Sequence, residues 1–176
     1  MAQADPAPRK RTRKAPGGAG GAGFGPSPEP VPATLPAAEP VTGAAPTLRI
    51  LDTRVMRGPN YWAREPVIRQ VVDLGVLEEW PSNRIPGFVE ALVELLPTLE
   101  DHACSLGRRG GFITRLRDGT WAGHVAEHIA LEFQNLAGTE VRHGKTRGTG
   151  EYGRYNVIFE YREEQVGLEA DRKSVV

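Results

Sequence analysis

The stretch "GTWAGHVAEHIALEFQNLAG", residues 119–138, reads as one long helix. Thr120 is a suitable N-cap, because its hydroxyl can accept from a free first-turn N–H. Gly138 is a suitable stop, because glycine enters the left-handed conformation at little cost. At roughly 100° per residue, Trp121, Val125, Ile129, Phe133 and Leu136 form one apolar stripe. Such a stripe must be buried against another layer, so the flanking segments decide the architecture.

Those segments read largely as strands. "LRILDTRVMR", from Leu48, mixes β-branched and apolar residues. "GPNYW", Gly58–Trp62, supplies a turn, and "PVIRQVVDLG", Pro66–Gly75, a second strand with Pro66 at its start. A hairpin with a long connection pairs the two. Downstream, "YNVIFEYREE" alternates Val157, Phe159 and Tyr161 against Asn156, Ile158 and Glu160, a third strand. Between them, Pro86 suits the first turn of a helix in which Phe88, Leu92, Leu95, Leu96 and Leu99 share a face. Pro97 should end or kink that helix. "FITRLRDG" is a short helix stopping at Gly119, and "EVRHGKTRGTGEYGR" is a long polar connection. Strands flanking a helical middle predict an α+β fold, with helices packed on one face of a mostly antiparallel sheet.

The same helix carries the chemistry. His124, Glu127 and His128 read H-x-x-E-H, the inverted counterpart of the zincin motif. Histidines at i and i+4 can grip one ion at about 2.0–2.1 Å, and a nearby glutamate can take a proton from water. The predicted ligands are His124, His128 and Glu132, with Zn2+ as the ion and Glu127 as general base. Glu132 is chosen because it falls inside the apolar stripe, where an unpaired carboxylate is costly. An arginine, such as Arg115 or Arg142, is the alternative partner. His102, His143 and Cys104 are weaker third ligands, since nothing local sets their distance. The motif also fits the solvated edge of an ordinary helix, and both readings stand open on the residues alone.

Two Gly-rich basic segments, "GRRGG" with Arg108 and Arg109 and "RHGKTR" with Lys145 and Arg147, can meet carboxylates or phosphates. Neither has P-loop spacing. Trp62 and Trp80 read as core or loop anchors, and Cys104 as structural.

The rest of the 176-residue chain bounds the class. Net charge is zero, but 28 of the first 46 residues are Ala, Pro or Gly, with Phe24 the one aromatic. Residues 1–46 are therefore predicted to be disordered. They hold a basic run, Arg9–Lys14, which reads as a solvated tail more than a nucleic-acid site. No secretory h-region and no run of about 20 apolar residues is present. The single cysteine excludes an internal disulfide framework and fits a cytoplasmic setting. The domain is expected over 47–170. "DRKSVV", residues 171–176, resembles a translated sequencing adapter, so the natural chain is expected to continue past Ala170.

"RVMRGPNYW", "DLGVLEEWPSNRIPGF", "LVELLPTLEDHACSLGRRGGF", "RDGTWAGHVAEHIALEFQNLAG", "GKTRGTGEYGRYNVIFEY" and "EEQVGL", in this order, resemble the N-terminal domain of bacterial cyanophycin synthetases. The resemblance runs from about Leu48 to Leu168. It implies an accessory domain that holds cyanophycin, a poly-aspartate with arginine on each side chain, for ATP- and Mg2+-dependent Asp and Arg addition by downstream modules. Neither module lies in these 176 residues. It implies as alternative a metal-dependent peptidase that cuts the polymer into primers, with His124, Glu127, His128 and Glu132 at the site. The implied partners are the polymer or β-Asp-Arg oligomers, met by Arg108, Arg109, Lys145 and Arg147. No membrane or nucleic-acid partner is expected, and the full-length protein is expected to be a homo-oligomer.

Overall fold

The computed structural model describes residues 48–174. The Ala/Pro/Gly-rich tail, its basic run and the last two residues lie outside them. Four strands form one antiparallel sheet: β1 (Arg49–Met56), β2 (Val67–Asp73), β3 (Gly144–Gly148) and β4 (Arg154–Glu160), in the order β1-β2-β4-β3. The helices are α1 (Phe88–Leu95), α2 (Gly111–Asp118), α3 (Ala122–Leu136) and α4 (Glu164–Ser174). The expected α+β class with an antiparallel sheet holds. No described helix is long and apolar enough to cross a membrane.

The β1–β2 hairpin forms as its composition demands. Its connection is closed by Asn60, whose side-chain oxygen accepts from the N–H groups of Trp62 and Ala63 at 2.8 and 3.1 Å. Pro66 stands just before β2, where its missing donor costs nothing and its carbonyl accepts from Tyr161 N–H. The alternation in β4 also holds: Val157, Phe159 and Tyr161 join Ile68, Val72, Ala130 and Leu131 in the core between sheet and α3. A second core lies beyond α3, where Val125 meets Leu92, Leu96, Leu99, Phe112 and Leu116 of the α1–α2 layer. Helix α3 is therefore covered on two sides.

That double cover corrects the single stripe. Leu136 is exposed, whereas Glu127, His128, Glu132 and Gln134 are buried. The other differences are local. Trp121, not Thr120, is the N-cap of α3, and no side chain caps it. Gly138 does close the helix: its N–H and that of Thr139 bond back to Asn135 and Gln134, with Gly138 at φ 88°. Pro86 precedes α1 rather than sitting in its first turn, because Gly87, at φ 71°, is the N-cap. Leu95 is exposed and Val89 takes its place in the core. Pro97 ends α1 and opens a short 3-10 segment to Asp101. The polar connection after α3 contains β3, whose low strand propensity is overridden by pairing with β4.

Candidate metal centre

The site is assembled on α3 from three directions. His124 and His128 project one turn apart toward the α1–α2 layer. From that layer, the loop between Pro97–Asp101 and α2 brings in His102 and Cys104, and α2 brings in Phe112. The ligand atoms of Cys104, His124 and His128 all lie within 4.8 Å of one another. Among the described residues they are the one such group. Cys104, read as structural and ranked behind Glu132 as a ligand on sequence, is thus brought to the histidines, and Glu132 is not in the group.

Each member is held. Thr120 Oγ1 lies 2.9 Å from His124 Nδ1, which leaves Nε2 3.4 Å from Cys104 Sγ. Phe112 stacks on His128 with centroids 3.9 Å apart and planes 18° from parallel. Cys104 is the one described non-glycine residue with positive φ, at 51°. Such a conformation costs roughly 1–3 kcal/mol and persists only where the surroundings impose it. Burial, with Arg115 adding repulsion, lowers the His124 pKa to about 4. Burial also holds His128 well below the usual imidazole range, helped by His124 and His102. Both rings are therefore neutral at pH 7, the form that binds metals.

This donor set fits zinc. One thiolate and two imidazoles leave a fourth position open, the pattern of catalytic zinc sites. Tetrahedral bonds of typical length put sulfur and nitrogen ligands about 3.6 Å apart, close to the 3.4 Å between Cys104 and His124. The hydrogen bond at His124 Nδ1 supplies the outer support such ligands carry.

The two glutamates play different parts. Glu127 is turned to the sheet, where Thr146 on β3 donates to its carboxylate at 2.6 Å. Gly144 makes this possible, since a Cβ there would overlap the carboxylate. Burial raises Glu127 to about 7, against the opposing hydrogen bond. Glu132 is paired with neither Arg115 nor Arg142. Thr98 donates to one of its oxygens, and His102 Nε2 lies 2.8 Å from the other. His102 Nδ1 in turn lies 2.8 Å from His128 Nδ1. His143 is exposed beside β4, its backbone tied to Glu160.

The four surface cations do not converge. Arg108 and Arg109 line a groove of about 410 Å³ with Glu100, Thr114 and Arg117. Lys145 and Arg147 flank Thr146 on β3. Because Thr146 faces α3, strand alternation sends them to the opposite face of the sheet. Thr98, Phe112 and Thr146 had no sequence signal of their own, and His102 stood only among the weaker third ligands. Each belongs to the site only through packing on α3.

The fold and site together define an α+β domain whose antiparallel sheet backs a helix carrying a half-buried Cys–His–His cluster. The chain belongs to the family of cyanophycin synthase-like N-terminal domains, whose family model matches residues 69–176. Over 130 residues it is 50% identical to the cyanophycin synthetase of Synechocystis sp., 51% to that of Geminocystis herdmanii and 52% to that of Trichormus variabilis. These matches cover 73% of this chain, which spans only about 15% of the relatives' length.

Proposed function

We propose that this domain is a metal-dependent hydrolase acting on cyanophycin, with Cys104, His124 and His128 as the ligands of a zinc ion. The observation that carries the reading is the convergence of these three side chains, two of them neutral imidazoles, on one point in a protein of this family. Zinc bound there would supply Lewis acidity toward an amide carbonyl and toward water. Glu127, one turn along α3 with its pKa raised to about 7, would release Thr146 and swing from the sheet side toward the ligands, take the proton of the attacking water on its carboxylate and return it to the leaving nitrogen. Arg115, whose charge acts on His124, would meet a substrate carboxylate.

The test is to incubate the purified protein with cyanophycin, with and without chelator, and follow chain length. Shortening that chelator stops, and that His124→Ala and Glu127→Gln abolish, is the expected result. Cleavage that survives chelation or both substitutions would sink the reading.

A second reading, polymer binding, is favoured by the groove that gathers Arg108, Arg109 and Arg117 beside Glu100. Cyanophycin offers both carboxylates and guanidinium groups, so a mixed but mainly cationic groove suits it. Many weak pairs along a repeating chain add through effective concentration. Salt-sensitive binding by the Glu127→Gln protein is expected, and its absence at low salt would end this reading.

A further inference from the structure

We propose that Thr98, Glu132 and His102 form a hydrogen-bonded chain that sets the tautomer of His128, making Glu132 a positioning residue rather than a metal ligand. The proposal rests on the reading of Cys104, His124 and His128 as a metal centre.

The chain is read one proton at a time. Carboxylate oxygens act as hydrogen-bond acceptors. Glu132 accepts from the Thr98 hydroxyl on one oxygen, so its other oxygen must accept from His102 Nε2. With its one ring proton donated from Nε2 to Glu132, His102 presents Nδ1 as an acceptor. His128 Nδ1, 2.8 Å away, must then be the donor. This puts the His128 proton on Nδ1 and leaves Nε2 as a lone pair. The reverse tautomers would set the His102 Nε2 lone pair against the Glu132 carboxylate, two acceptors face to face in a site where Glu132 is 3% exposed and His128 5%.

Two independent features agree. Thr120 engages His124 at Nδ1 and so turns its Nε2 toward Cys104, and both histidines direct the same ring atom away from their supporting partner. The Phe112 ring against His128 restricts rotation that would break the chain. The chain also accounts for a glutamate in the interior of a helix, since its charge is met by two donors. Carboxylate–histidine support of this kind orients a ligand and raises its basicity.

The full chain has four histidines, so their ring nitrogens can be assigned individually. Long-range 1H–15N correlation on the metal-free protein should find His102 protonated on Nε2 and His128 on Nδ1. A His128 proton on Nε2, as would follow from a doubly protonated His102, overturns the proposal. Zinc competition against a chelating dye should then show Glu132→Gln and His102→Leu binding zinc about 10–100-fold more weakly than wild type. Unchanged affinity in both variants also overturns it, with the metal centre intact. A wild-type protein that takes up no zinc would instead remove the metal reading on which the proposal rests.

Discussion

The buried centre on α3 and the exposed arginine groove beside α2 are both polar, yet they are built differently. In the centre, His124, His128, Glu127 and Glu132 each have a defined partner or stacked ring. In the groove, Arg108 and Arg109 stand on an exposed loop, and Arg109 pairs with an exposed Asp101. A buried polar group without a partner is costly, whereas an exposed one exchanges its partner for water. Geometry in the centre is therefore dictated by the fold. The groove supplies charge without fixed geometry.

The sharpest way to break the contrast is to remove the ring that orders the centre. Phe112 is fully buried and touches His128. Phe112→Ala should cost about 3–5 kcal/mol in urea unfolding. A loss under 1 kcal/mol would mean the centre is not packed as described.

Charge comes next. The Glu127 pKa is raised from 4.5 to about 7, so the folded state holds a proton that the unfolded state releases. Stability from this group is full below pH 4.5, falls as pH rises toward 7, and is flat above. Glu127→Gln in the metal-free protein should thus be more stable than wild type at pH 8, by up to about 3 kcal/mol at 1.4 kcal/mol per pKa unit. The advantage should vanish near pH 4.5. Parallel denaturation curves at the two pH values would test this, and a constant difference would refute it.

Crowding the carboxylate is a milder disturbance. Gly144→Ala should cost about 1–3 kcal/mol as Glu127 is pushed off Thr146. In the Glu127→Ala background the same change should cost much less, and a double-mutant cycle without coupling would dismiss the contact.

The smallest effect belongs to the groove. Arg108→Ala with Arg109→Ala should change stability by about 0.5 kcal/mol or less. The pair should weaken cyanophycin binding at low salt, measured by co-sedimentation, and the difference should shrink as salt rises. Strong destabilisation would show that the groove is as constrained as the centre.

Much of this organisation is legible in residue patterns. The alternation in β4 and the glycine stop of α3 belong to neighbouring residues and follow from local geometry. So does the H-x-x-E-H spacing, since i and i+4 adjoin on any helix. Other features were misread or missed for identifiable reasons. β3, with Gly144 and Gly148 at its ends, forms only because β4 pairs with it. α4 had no counterpart in the pattern reading. The H-x-x-E-H motif also fitted a solvated edge because periodicity sees one buried face, and α3 has two.

Local sequence by itself determined the class of fold, the long helix and the pair of histidines on adjacent turns. Tertiary structure alone decided what meets those histidines. Cys104 lies 20 residues before His124, and His102 lies 30 before Glu132. No helical or strand period spans such gaps. The chain between is turned back by Gly107 and Gly110 before α2 and by Gly119 after it, all at positive φ, so the third ligand and the partner of Glu132 follow from packing.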